Sequence, residues 1–197
     1  MKEHSWEQAQ KAFEIEGKAI LNIAEYMERE AFDKTVDILS HCGRVILSGC
    51  GGSGIAAKKF SHSLCCIERP AQFLQPGEAV HGGLGCITGE DAVVLLSRGG
   101  KTDELIPIAE VAKKKNAKLI TVTEKMDSVL AKMADAVLPM HIEREADRFD
   151  VMTTTSFVVA VAIFDALLVA IMEETGYQRE QFALIHPGGA VGKRLNR

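Results

Sequence analysis

What most constrains this chain is a repeated succession: a short apolar run, a glycine-rich break, then a segment with helical spacing. Arg44-Val45-Ile46-Leu47-Ser48 is stopped by Gly49-Cys50-Gly51-Gly52-Ser53-Gly54, and Ser53 to Cys65 then places Ile55, Ala56, Phe60 and Leu64 at helical intervals. Ala92-Val93-Val94-Leu95-Leu96 is broken by Ser97-Arg98-Gly99-Gly100-Lys101-Thr102, and Leu105, Ile108, Ala109 and Ala112 follow on one helical face. Continuous apolar runs of this length suit strands covered on both faces. Ala71–Leu74 reads as a short strand and Lys118–Thr123 as another, followed by a short helix to about Met133. Ala136–Met140 is the last strand, and its Pro139 favours an edge because proline cannot donate to a ladder. Strands alternating with helices predict βαβ units in an α/β fold: a doubly wound, five-stranded parallel sheet flanked by helices.

Ahead of the first strand, Ala12, Ile15, Ala19, Ile20, Ile23, Ala24 and Met27 predict one helix over residues 7–30, with a second from about Phe32 to Ser40. No linker, repeat or low-complexity tract divides the chain, so residues 1–197 are expected to form one domain: N-terminal helices over 5–40 and an α/β core over 43–197. Ser156 to Met172, SFVVAVAIFDALLVAIM, is nearly long enough to span a bilayer. Asp165 near its middle would cost roughly 2.5–3.5 kcal/mol there, so we expect a helix buried in a soluble fold and no membrane partner. A short helix around Gln178–Phe182 and a glycine-rich tail close the chain. Met1 to Glu7 carries acids and no apolar stretch, unlike a secretory signal. Cys42, Cys50, Cys65, Cys66 and Cys86 are odd in number and contain no CxxC, which fits thiols in a reducing cytoplasm and neither a zinc site nor a disulfide framework. With 23 Lys and Arg against 27 Asp and Glu, the net charge of −4 disfavours nucleic acid as a partner.

The first glycine loop matches G-x-G-x-x-G between a strand and a helix, a pattern that brings backbone close to phosphate. A dinucleotide would also want an acid after the second strand, but that strand ends Leu74-Gln75-Pro76 and Glu68 precedes it. The second loop shifts the reading. Two such loops at neighbouring strand tips can face one crevice, with hydroxyls from Ser53, Ser97 and Thr102 and free N–H groups from two helix starts. That suits a compact phosphate monoester better than a long cofactor. Ser53 and Thr102 could equally act only as helix N-caps.

Several groups able to move protons lie in turn-like settings: His81 in Pro76-Gly77-Glu78-Ala79-Val80-His81-Gly82, Glu104 after the second loop, Glu145 in a charged segment, and His186 before Pro187-Gly188-Gly189. Carboxylates and imidazoles near a sugar phosphate are what aldose–ketose isomerisation needs. With both loops, the Pro76–Gly82 segment and the tail His186-Pro187-Gly188-Gly189-Ala190-Val191-Gly192-Lys193, the sequence resembles the sugar isomerase (SIS) domain family, most of all its arabinose-5-phosphate isomerase branch. The resemblance runs from about residue 15 to the end. It implies a three-layer sandwich, a homotetramer whose pockets are completed by neighbouring subunits, and interconversion of D-arabinose 5-phosphate and D-ribulose 5-phosphate.

By position, the resemblance puts Ser53, Ser97 and Thr102 on phosphate-binding positions, within loops that also contain Gly51, Gly52, Arg98, Gly99, Gly100 and Lys101. It puts Glu104, Glu145, His81 and His186 on polar active-site positions. The branch usually carries Lys where this chain has Gly52, and its second loop usually reads SNSGES; Arg98 or Lys101 could supply the missing charge. The sequence contains no CBS pair of the kind that often follows the domain. We therefore expect a cytoplasmic isomerase needing no metal or other cofactor. Glu145 or Glu104 would remove the carbon-bound proton, and His186 would aid ring opening or proton transfer between oxygens. A sensor that binds the same sugar without turnover is the alternative.

Overall fold

The computed structural model describes residues 3–188 and Arg194. The expectation placed on Gly189–Lys193 falls outside the described residues. Five strands, β1 (Arg44–Gly49), β2 (Ala71–Phe73), β3 (Asp91–Leu96), β4 (Lys118–Thr123) and β5 (Ala136–Pro139), form one sheet in the order β2-β1-β3-β4-β5. Every pairing is parallel. Pro139 lies on an edge strand, where its missing N–H costs no ladder bond.

Alternation along the strands sorts the core into two layers. Val45 and Leu47, Val94 and Leu96, Ile120 and Val122 point to one face, covered by α3 (Arg29–His41), α4 (Gly51–Cys65) and α8 (Thr155–Thr175). Ile46, Val93, Leu95 and Leu119 point to the other, covered by α6 (Ile106–Lys114) and α7 (Val129–Met133). The apolar helix α8 is long enough to cross a membrane, yet Val159, Ile163, Phe164, Leu167 and Ile171 are buried within the fold. Phe164 stacks on Phe60 of α4 with ring centroids 4.5 Å apart. Asp165 pairs with Lys59 of α4, so the charge that disfavours a bilayer is matched by a neighbouring helix.

The N-terminal helices differ from the expectation of one helix over 7–30. The chain forms α1 (Glu3–Leu21), a single turn α2 (Ile23–Tyr26), then α3. Met27 and Glu28 have extended backbone, with ψ of 118° and 120°. No proline or glycine marks that break, and the apolar spacing runs through it, so periodicity alone carries the helix past its end. Likewise the turn-rich segment 75–85 holds a one-turn helix α5 (Pro76–Ala79) and a 3-10 turn over Gly83–Cys86. A further helix, α9 (Arg179–Ile185), begins with a capping box between Gln178 and Gln181.

The sheet reverses its direction of growth between β1 and β3. From β1 the chain crosses to β2 through α4 on one face; from β3 it moves to β4 through α6 on the other. In a parallel sheet the carboxyl-terminal tips on either side of such a reversal leave a crevice, the usual ligand site of open α/β folds.

Candidate active site

At the reversal, Gly49 ends β1 directly beside Leu96 at the end of β3. The two glycine loops therefore start from adjoining tips. In the first, α4 begins at Gly51, two residues earlier than the spacing predicts, so Ser53 is inside the helix and Cys50 precedes it. Among the described residues no side chain caps the helix. Its first-turn N–H groups, unlike those of a capped helix, remain available to an anion at the positive end of the helix dipole.

Two glycines make this loop possible. Gly51 has φ +54°, a left-handed conformation that side chains disfavour. Gly52 leaves room for Thr153: a Cβ at Gly52 would stand 2.5 Å from the Thr153 Cγ2 atom. The segment leading into α8 thus lies against the first loop at Gly52.

In the second loop, Ser97 is buried and hydrogen-bonds the Thr102 hydroxyl at 2.7 Å. Ser97 Oγ also accepts the Gly100 N–H at 3.1 Å, and either hydroxyl of the Ser97–Thr102 pair can be the donor. Thr102 makes no side-chain cap to the 3-10 turn Asp103–Leu105 that follows it, so the plain N-cap role does not account for it. Gly100, at φ +63°, folds the loop against Ser128 and Thr123.

A cavity of about 320 Å³ opens at these tips. It is lined by Gly49, Cys50, Gly51 and Gly54 of the first loop, Gln75 to Gly77 after β2, and Glu104 after the second loop, with Lys58 and Phe73 at one side. The size suits a small molecule. Burial, with the Glu104 carboxylate adding to it, pushes the Cys50 thiol up, so this cysteine is a neutral lining group. A roomier hollow of about 690 Å³ between α3 and the end of α8 is lined by Asp33, Asp37, Glu173 and Glu174, which repel an anion.

Of the residues expected to move protons, only Glu104 lines the cavity, and of those expected to hold phosphate only Gly51 does; Gly52, Ser53 and the second loop from Ser97 to Thr102 lie outside its lining. Glu145 is 3% exposed and serves the start of α8. Its carboxylate accepts the N–H groups of Thr154 and Ser156, both at 3.0 Å, and the Ser156 hydroxyl at 2.5 Å. Arg98 donates to it at 3.2 Å and to Glu124 at 2.8 Å. The Arg98 guanidinium is thus already paired, while Lys101 is exposed with no ion pair among the described residues. His81 is exposed beyond α5. His186 stacks on Phe182 with centroids 3.8 Å apart, and its Nδ1 donates to the Phe182 carbonyl at 3.1 Å. Within one chain, neither histidine lies along the cavity. Lys58 escaped the sequence reading: a lysine on a helix looks like any solvated charge, and only the fold places it beside the crevice. Among the described residues no group of three or more metal-ligating side chains occurs.

The profile of the family described as "SIS domain" matches residues 38–170, the larger part of the chain and all five strands. The chain belongs to the SIS domain family. It is 36% identical over 181 residues to arabinose 5-phosphate isomerase KpsF of Escherichia coli, an alignment covering 91% of this chain and 57% of KpsF. Arabinose 5-phosphate isomerase GutQ of Salmonella typhimurium is 39% identical over 165 residues, 83% of this chain and 51% of GutQ. This SIS chain therefore spans little more than half the length of these curated relatives. Among solved structures, an Escherichia coli CFT073 protein in complex with arabinose 5-phosphate superposes with a TM-score of 0.88 at 29% identity, over 95% of this chain and all of that one. A Listeria monocytogenes protein superposes with a TM-score of 0.92 at 43% identity and similar coverage.

Proposed function

We propose that this SIS protein is an aldose–ketose isomerase acting on a five-carbon sugar phosphate, with D-arabinose 5-phosphate and D-ribulose 5-phosphate as its pair. The observation that carries the reading is the cavity at the β1/β3 reversal: one carboxylate, Glu104, faces a hollow whose floor is an uncapped helix start. The relatives named for this reaction share more than a third of their aligned residues with the chain, which supports the choice of sugar.

In this reading the phosphate binds at the glycine loops, held by N–H groups of Gly51, Gly52 and Ser53 and by the Thr102 hydroxyl. The open-chain aldose presents its C2 hydrogen to Glu104. The carboxylate removes that proton, and the electron pair forms the C1–C2 double bond of a cis-enediol as the aldehyde oxygen gains a proton. Glu104 then returns its proton to C1 while the O2 proton leaves, giving the ketose with atoms and charge balanced. Glu145, whose oxygens are occupied by donors, is a positioning residue that holds the Thr153 segment against the first loop. His81 and His186 come from neighbouring copies in a cytoplasmic homotetramer and serve ring opening and the oxygen-to-oxygen transfer. Apolar side chains turned to solvent, including Trp6, Phe13, Leu21 and Phe149, give such contacts a surface.

The test is to incubate the purified protein with arabinose 5-phosphate and follow ribulose 5-phosphate by NMR. Product formation that falls about 10²-fold or more in Glu104→Gln supports the assignment. Binding without product would make the protein a sensor; neither binding nor product would remove the reading.

A further inference from the structure

Among the described residues lining the 320 Å³ cavity, Lys58 carries the one positive charge and Glu104 the one negative charge. Lys58 lies one turn after Gly54 and three residues after Ile55, both of which also line the cavity, so all three share a side of α4. Gly54 sets how close that side comes to the sheet: a Cβ there would stand 2.5 Å from the Gly49 carbonyl oxygen. The approach brings Lys58 over the ring of Phe73, the last residue of β2, with Nζ 4.8 Å from the ring centroid. Phe73 holds the ammonium by cation–π attraction and leaves its donors free.

No carboxylate pairs with Lys58 among the described residues, whereas neighbouring Lys59 is paired with Asp165 and Arg98 with Glu124 and Glu145. Helical side chains lean toward the helix N-terminus, so the Lys58 stem carries its charge back toward the first turn of α4. An uncapped helix start and an unpaired ammonium then bracket one hollow, an arrangement that lacks only an anion between them.

Resting on the isomerase reading, we propose that Lys58 is the residue that pairs with the substrate phosphate, supplying from the second turn of α4 the charge that Gly52 cannot supply from the loop. It is a binding residue: phosphate charge is unchanged between aldose and enediol, so its contribution falls on affinity and not on the proton transfer.

The experiment compares Lys58→Met and Lys58→Arg with the unchanged protein, each checked for an unaltered melting temperature. Isomerisation kinetics and inhibition by inorganic phosphate are measured. We expect Lys58→Met to raise KM about tenfold or more and weaken phosphate inhibition in parallel, with kcat within about threefold and Lys58→Arg restoring most of the loss. Unchanged KM and phosphate inhibition in Lys58→Met would overturn the assignment while leaving the isomerase reading intact. So would a fall in kcat alone. Should the unchanged protein turn over no sugar phosphate, the isomerase reading fails, and calorimetry with inorganic phosphate judges Lys58 separately: equal binding to the Met variant overturns it.

Discussion

Adjacent glycines in the second loop should respond very differently to the same added methyl group. Gly100 has φ +63°, where an L side chain costs roughly 1–2 kcal/mol. Its Cβ would also stand 2.0 Å from Ser128 Oγ, 2.4 Å from Ser128 Cβ and 2.9 Å from Thr123 Oγ1. Those atoms cannot simply turn aside: Ser128 Oγ caps α7 through Ala131 N, and the Gly100 carbonyl accepts Leu130 N at 3.1 Å. Overpacking of a fixed site adds about 1–3 kcal/mol, so Gly100→Ala should lose roughly 2–5 kcal/mol in all. With a urea dependence of about 2 kcal/mol per molar, the unfolding midpoint falls by roughly 1–2.5 M. At Gly99, by contrast, a Cβ meets nothing within 4 Å, and Gly99→Ala should stay within about 0.5 kcal/mol of the unchanged protein. Urea unfolding of the two variants side by side is the assay. Equal midpoints would refute the packing of this loop against α7, and with it the placement of Ser97 and Thr102.

Further outcomes follow from individual side chains. Glu145→Ala should destabilise the fold by about 3 kcal/mol in urea unfolding, because it leaves the N–H groups of Thr154 and Ser156 without their acceptor. Glu104→Gln should leave that midpoint unchanged while removing turnover. Burial alone would raise the Asp91 carboxyl, but its bonds from Arg44 at 3.0 Å and the Thr88 N–H at 2.7 Å outweigh this and hold it below the usual range. A carboxyl lowered on folding stabilises above its unfolded value of about 3.9, and that contribution is lost as pH falls through the lower folded value. Asp91→Asn should therefore lower stability at pH 7 by about 2 kcal/mol and flatten its decline below about pH 4, read by thermal melts across pH.

How far the chain can be read without coordinates depends on where each signal resides. Strands such as Ala92–Leu96 and the helix containing Phe164 declare themselves, because burial on both faces or all round leaves an unbroken apolar run. The position of Pro139 on an edge follows from one missing donor. The break at Met27 and Glu28 has no such mark, since no breaker residue stands there. At the site, the two glycine loops are legible as strand-to-helix turns, and their adjacency follows once the sheet is known to be parallel. What Arg98, Glu145 and Lys58 touch is not: three charged residues look alike in sequence. Only the fold buries Glu145 beneath the start of α8, turns Arg98 onto it, and leaves Lys58 at the cavity.

The most direct measurement is proton exchange at the reacting carbon. Arabinose 5-phosphate kept with the protein in D₂O should gain deuterium at C2, with ribulose 5-phosphate appearing in the same sample, and Glu104→Gln should suppress both. Sugar phosphate that binds yet yields no ribulose 5-phosphate and keeps its C2 proton over many hours would contradict the central claim, because no enediol could then have formed.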